Sequence, residues 1–460
     1  MQMKKLLLGT AVSLGTIVIA SAQFSEVEPN SGKASATSIN FTASGQTVTG
    51  FTTGTSSVEG SGDGTADYFR LTAKAGPVGV YKNVLKLDNT NNLVRIRGLR
   101  QSAGVIDTVF NQPFQFGYQD LTQNYTQSSW YTFGNRGQVF YEVLGDASTV
   151  DPYLVTYTQE AVPVVNLGIF ASPVTITSVN EALNLITGNQ VDTDLWVYDA
   201  NFNPIANFGN DDSSSTNAGS TLTRSYAPGT YYLAISRFGF ANNLPAPADD
   251  FFRNGSVLDF SGVAAAQTSN SLETGSGSRN ISFRISGVGD THQQPSELLK
   301  VQDINWYKFT VGTGRNIRGK VILTDHDTNE RPVTFGVYQN GILQETSVIT
   351  PLADGSYVLT SATTGPIKVK ASSTQWLSKV RSIQAQGSDT DVDFSLINGD
   401  IDGDNSVTIF DYIDLSNSFD LSLGDAGFNA AADLDGDDSV TIFDYIILSN
   451  NFDLTGEDVP

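Results

Sequence analysis

Near its end the chain carries one acidic segment twice. Asp400, Asp402, Asp404, Ser406, Thr408 and Asp411 occupy positions 1, 3, 5, 7, 9 and 12 of a twelve-residue stretch, and Asp433, Asp435, Asp437, Ser439, Thr441 and Asp444 repeat the pattern 33 residues later. A loop of that length curling round a hard cation brings alternate side chains inward, which is the ligand spacing of a Ca²⁺-wrapping loop. Four carboxylates per loop would repel one another without a cation, so two Ca²⁺ per chain are expected, with binding coupled to folding. Position 7 would lend its main-chain carbonyl, and position 9 a hydroxyl or a bridging water. Position 6, ordinarily glycine in such loops, is Asn405 in one and Asp438 in the other. After glycine, Asn and Asp enter the left-handed backbone region most readily, so the turn stays feasible.

Each loop runs into an apolar stretch, Val407 to Leu415 and Val440 to Leu448, which a solvated acidic tail would not need. Residues 407–421 and 440–454 differ only at Asp414/Ile447 and Ser418/Asn451. Paired EF-hand-type loops with Asp at position 12, each followed by one helix, resemble a type I dockerin over residues 398–454. That resemblance implies two nearly equivalent faces for gripping a cohesin-like module or another extracellular protein. Positions 10 and 11, often small hydroxyl residues in that family, are here Ile409-Phe410 and Ile442-Phe443. For at least one residue of each pair, burial in the core is the expectation.

The charge is as uneven as the pattern. Of the net -22, the segment 398–460 carries -15, with fifteen acids and no Lys or Arg. Even with two Ca²⁺ bound such a tail repels phosphate, so nucleic acid is excluded as a partner. At the other end, Lys4 and Lys5, the apolar run Leu6 to Ala20 and the small residues Ala20-Ser21-Ala22 read as a bacterial secretory signal peptide over residues 1–22, cleaved after about Ala22. The protein is therefore expected to be extracellular and not an integral membrane protein. It has no cysteine, so its cores and bound calcium must hold it together.

Between these ends, short runs rich in Val, Ile, Thr, Tyr and Phe alternate with Gly, Asn, Asp and Ser, as in Leu93–Arg97, Leu195–Tyr198 and Thr230–Ile235. The expected fold is mainly β: tandem antiparallel β-sandwich domains with a small C-terminal α-helical calcium-binding module. Residues 23–160 open with Glu26, Glu28, Pro29 and Asn30 and reach Asp67-Tyr68-Phe69, a pattern that resembles the bacterial pre-peptidase C-terminal domain. In collagen-binding relatives the Glu-x-Glu-x-Asn opening chelates calcium, and Glu26, Glu28 and Asn30 match that spacing; an exposed, flexible N-terminus is the plainer expectation. Residues 161–290 resemble the same family through Asp192 to Asn201, Asp211-Asp212 and Tyr231-Tyr232. Alternation there puts Leu195, Val197 and Tyr232 inside, while residues 241–280 read as a long loop. Residues 291–397 resemble the carboxypeptidase regulatory-like, transthyretin-type sandwich through Gly319-Lys320-Val321 and Gly355-Ser356-Tyr357. Residues 398–460 form the dockerin-like module, joined without a Pro/Thr-rich linker and so docked rigidly.

Catalysis has little to work with. The chain has two histidines, His292 and His326, and no phosphate-binding Gly-rich loop or His-Glu-x-x-His helix. His326, between Asp325 and Asp327, reads as an exposed loop residue. The expectation is a secreted, non-catalytic, multimodular protein that binds calcium and attaches to a partner, with polysaccharide or matrix protein as ligands of its sandwiches. The alternative is a dockerin-bearing extracellular hydrolase, of polysaccharide or protein, with an unrecognised active site.

Overall fold

The computed structural model describes residues 23–52, 66–97, 99–102, 105–107, 114–135, 137–145, 152–181, 190–237, 239–245, 247–250, 256–257, 264–267, 278–384 and 390–459. The expected signal peptide lies outside them. The chain is mainly β and divides into two compact units, one built chiefly from residues up to Ala161 and the other chiefly from Val162 to Pro460.

In the first unit, strands Gln23–Ser25, Thr47–Gly50, Tyr153–Ala161, Tyr81–Leu87 and Tyr125–Thr132 follow one another in one sheet. Strands Thr37–Asn40, Ala66–Thr72, Gln138–Leu144, Leu93–Arg97 and Phe114–Phe116 make a second. Both bury apolar residues, among them Phe69, Leu71, Val94, Tyr141 and Val143 from one, and Leu85, Leu87, Trp130 and Tyr157 from the other. Alternation along each strand dictates which residues turn inward.

The second unit contains two further sandwiches. In the earlier one, strands Val165–Phe170, Ile304–Val311, Gly229–Arg237, Thr193–Tyr198 and Pro204–Asn210 share a core with Thr221–Arg224, Val174–Thr177, Arg279–Gly287 and Asp290–Leu299. Strands Asp290–Leu299 and Ile304–Val311, which sequence alone groups with the third module, thus complete the second sandwich; alternation identifies a strand but not the sheet it joins. Leu195 and Val197 are buried as expected, but Thr193–Tyr198 is buried along its whole length, Trp196 and Tyr198 included. Tyr232 is only half-buried and stacks on Phe202 at 4.0 Å. Within 241–280, which reads as loop, Phe240–Ala241 pairs with the end of Ala264–Gln267.

The later sandwich sets Ser356–Ser361, Arg315–Leu323 and Phe394–Leu396 against Ile342–Ile349, Val333–Gln339, Ile367–Ser373, Gln375–Ile383 and Asn398–Asp400, round a core that includes Phe335, Tyr357, Trp376 and Phe394. The sheets are not purely antiparallel, since Val165–Phe170 with Ile304–Val311 and Arg315–Leu323 with Phe394–Leu396 run parallel. Hairpin spacing cannot announce such crossovers, because their partners are distant in sequence.

Two helices follow, α1 (Ile409–Ser418) and α2 (Ile442–Asn450). Their small core of Val407, Leu415, Ala432, Leu434, Val440 and Leu448 is completed by Leu377 of the preceding sandwich, with Ile397 against it. Among the described residues no helix is long and apolar enough to cross a membrane.

Candidate metal centres

Asp400 ends the strand Asn398–Asp400, where it pairs with Gln375, so the first acidic loop grows directly out of a sheet. In that loop Asp400, Asp402 and Asp411 each bring a carboxylate oxygen within 4.8 Å of the others; Asp433, Asp435 and Asp444 do the same in the second. Positions 1, 3 and 12 therefore converge. Asp404 and Asp437, at position 5, stand outside these clusters, and their Oδ1 atoms accept from the main-chain N–H of Ser406 and Ser439 at 2.9 Å.

The position-12 carboxylates cinch their loops. Asp411 Oδ1 accepts from the N–H of Ile401 (2.6 Å) and Asp402 (3.1 Å), and its Oδ2 from that of Thr408 (2.7 Å). Asp444 repeats this with Leu434 (2.6 Å), Asp435 (3.2 Å) and Thr441 (2.7 Å). Thr408 and Thr441 serve as helix N-caps, their hydroxyls accepting from Phe410 and Phe443 in a capping box with the same Asp. The short arm of Asp at position 12 suits this duty, since both of its oxygens accept from main-chain N–H groups of its own loop. Ser439 Oγ meets Ser422 Oγ at 2.9 Å, and Ser406 bridges to Thr455, so each loop is braced by the segment that follows the other loop's helix. Asn405 and Asp438 both sit at φ +69°, the left-handed turn their identities permit.

The electrostatics fit a divalent cation. Burial, reinforced by Asp411, Asp404 and Asp402, pushes the Asp400 carboxyl up to about 6, and Oδ1 of Asp400 is buried without a hydrogen-bond partner. Asp402, Asp433 and Asp435 are raised for the same first reason, burial. A set of convergent carboxylates that resist ionising together is what a Ca²⁺ would relieve.

The apolar pairs after each loop are not core, contrary to expectation. Ile409 and Phe410 are 53 % and 62 % exposed, and Ile442 and Phe443 are 51 % and 61 %. Helix periodicity explains this: Leu415 and Leu448 take the inward face, and positions 10 and 11 fall on the opposite side. Tyr412 and Tyr445 meet edge to face at 6.1 Å, joining the two exposed faces.

A further acidic cluster lies in the first unit, where Glu26, Glu28 and Asp67 converge within the same limit. Asn30 beside them is fully buried, not exposed, and neither side-chain atom finds a hydrogen bond; its N–H donates to Glu28 Oε2 at 2.9 Å. Asp67 is also fully buried, its Oδ2 accepting from the Tyr153 hydroxyl at 2.7 Å and its Oδ1 without a partner. Burial and then nearby Glu26 and Glu28 drive its pKa to about 8, against the Tyr153 hydrogen bond. A Cβ on Gly50 would stand 2.4 Å from Glu26 Oε2, so this glycine makes room for the cluster. Sequence reading missed Asp67 as a member; the available signal was an acid directly before the aromatic pair Tyr68-Phe69 in the strand Ala66–Thr72. A third grouping brings Asp192 together with Asp211 and Asp212; although Asp192 is exposed as a whole residue, partial burial of its carboxyl, followed by Asp212, raises it to about 6.

His326 is the other reversal. Its side chain is 1 % exposed, packs on Trp376, contacts Asp327 Oδ1 through Nδ1 at 2.8 Å and meets Arg331 at Nε2 at 2.8 Å. Burial lowers its pKa first, then Arg331.

No family model and no curated protein matches the chain. Solved structures similar to it include two type II cohesin–X-dockerin complexes from Acetivibrio cellulolyticus. A C-terminal interface mutant shares 18 % identity over 31 % of this chain and 98 % of that one, at TM-score 0.27. An N-terminal interface mutant shares 17 % over the same proportions, at TM-score 0.26. The Bacillus anthracis TIE protein shares 10 % identity over 53 % of this chain and 36 % of its own, at TM-score 0.15. At such values the functional argument rests on the residues themselves.

Proposed function

We propose that this is an extracellular, non-catalytic protein whose C-terminal module binds two Ca²⁺ and attaches the preceding sandwiches to a protein partner. The observation that carries the reading is the convergence of Asp400, Asp402 and Asp411, and of Asp433, Asp435 and Asp444, beneath helices whose outer faces are apolar. The ions would be held by these carboxylates, with Asp404, Asp437 and the main chain at Ser406 and Ser439 closing the shell, while Thr408 and Thr441 cap the helices. Bound Ca²⁺ would supply the positive charge that lets each loop close.

The attachment surface follows from exposure and charge. Ile409, Phe410 and Ile413 on α1 match Ile442, Phe443 and Ile446 on α2 almost point for point in exposure. Burying such a Phe contributes about 1.5–3 kcal/mol, so a partner covering either face gains several such terms. The module has no basic residue, which makes a cohesin-like or other partner with an apolar centre and a cationic rim the best complement. Pull-down by the full chain from its native secretome, in Ca²⁺ and in EGTA, tests this; capture that ignores EGTA or the Phe410→Ala/Phe443→Ala change would sink it.

The cluster of Glu26, Glu28, Asn30 and Asp67 supports a third Ca²⁺, because two fully buried polar side chains there have atoms without hydrogen bonds. Calorimetry counting ions per chain separates two from three.

A hydrolase reading has one observation in its favour. A cleft of about 750 Å³ between the second and third sandwiches is lined by Glu297, Asp354, Asp391 and Asp393 beside Val165, Pro295 and Leu352. Burial raises Glu297, as a general acid requires. Polysaccharide turnover lost on Glu297→Gln would establish it.

A further inference from the structure

The internal repeat makes the two calcium loops near copies, yet the third sandwich treats them differently. It meets the first loop at its opening residue, through the pairing of Asp400 with Gln375, and at Asn405, whose Oδ1 accepts from Ser378 N–H at 2.8 Å. The second loop is gripped along its main chain. Gln375 Nε2 donates to the carbonyl of Asp433 at 2.7 Å and to that of Ala431 at 3.1 Å. Asn398 Nδ2 donates to Leu434 at 2.7 Å, and Asp327 N–H to the carbonyl of Asp435 at 3.0 Å. The carbonyls of loop positions 1, 2 and 3 are thus each held from outside by a different strand or turn, and Gln375 and Asn398 are buried. Gly436, at position 4, lies against His326: a Cβ there would stand 2.5 Å from the ring, whereas the equivalent Gly403 faces open space.

From this we propose that Gln375, seconded by Asn398, is a positioning residue for the second calcium loop, and that calcium in this loop locks the C-terminal module to the third sandwich. The inference rests on the calcium reading above. Donors that fix a loop's carbonyls fix the carboxylates they alternate with, as hydrogen bonds to a metal's ligands orient those ligands. Linkage then works in both directions: the docked sandwich preorganises the loop for Ca²⁺, and Ca²⁺ holds the loop in the shape that docks. The partner-binding faces on α1 and α2, equal in exposure, are left alone by this asymmetry.

The test is a calcium titration of the full chain in two backgrounds, Asp400→Ala, which leaves the second loop, and Asp433→Ala, which leaves the first. Gln375→Ala should weaken Ca²⁺ roughly tenfold or more in the first background and change it little in the second. Amide exchange at Asp327, whose N–H donates to the second loop at Asp435, should slow with Ca²⁺ in the Asp400→Ala chain and not in the Asp433→Ala chain. Equal effects of Gln375→Ala in both backgrounds, or none in either, overturn the inference while leaving the calcium reading intact. No saturable Ca²⁺ binding at either loop in the unsubstituted chain would instead overturn the calcium reading.

Discussion

Asp67→Asn should stabilise the calcium-free first unit at neutral pH and abolish its response to calcium. Asp67 is fully buried, and its carboxyl is displaced from 3.8 to about 8, first by burial and then by Glu26 and Glu28. Because the folded pKa lies above the unfolded one, folding takes up a proton between about pH 4 and pH 8. Stability from this group is complete below pH 4 and is lost as pH rises through 8. At pH 7 about three units of that displacement have been traversed, and at about 1.4 kcal/mol per unit the proton uptake that keeps the folded carboxyl neutral costs roughly 4 kcal/mol. An Asn of the same shape keeps an oxygen for the Tyr153 hydroxyl and is neutral without taking up a proton. Hydrogen exchange of the strand Ala66–Thr72 in the full chain, at fixed pH 7 in EGTA, should therefore be slower in the variant, by up to about a thousandfold in the opening equilibrium. Calcium should slow exchange in the unsubstituted protein and leave the variant unchanged. Faster exchange in the variant in EGTA, together with a preserved calcium response, would refute the reasoning.

The C-terminal module offers further checks. Thr408→Ala and Thr441→Ala each remove an N-cap and should cost about 1 kcal/mol of stability, read as a lower denaturation midpoint in calcium. Gly436→Ala should destabilise markedly more than Gly403→Ala in thermal melts: both glycines have positive φ, but only Gly436 has His326 against it. Phe410→Ala with Phe443→Ala should leave the melting temperature within about a degree, because both rings are largely exposed, while removing partner capture. Asp400→Ala and Asp433→Ala should each lower the ion count by one in calorimetry, and an unchanged count would refute the ligand assignment.

Much of this was legible in advance where the physics is local. A twelve-residue loop closes on itself, so alternate acids from Asp400 to Asp411 must converge wherever the loop lies, and the left-handed turns at Asn405 and Asp438 need only permissive side chains. Alternation likewise marks a strand such as Leu93–Arg97 without help from its neighbours. What failed was long-range. His326 looked like a loop residue because it follows a strand, and it is one, but the second acidic loop and Trp376 close over it. The Ile-Phe pairs looked like core because they are apolar; the helix rotation, set by Leu415 and Leu448, turned them to solvent. Asp67 passed as one polar residue in a strand until Glu26 and Glu28 arrived beside it from another part of the chain.

Sequence by itself therefore determined the twin acidic loops, the helices that cap on them, the predominance of strands and the concentration of negative charge at one end, since each depends on residues within a dozen positions of one another. Only the tertiary structure decided which strand joins which sheet, that a buried carboxylate completes an acidic cluster at the N-terminal end, and that one of two near-identical loops is held by the neighbouring sandwich. Those outcomes depend on contacts between residues tens to hundreds of positions apart, where burial and close packing, not spacing, set the chemistry.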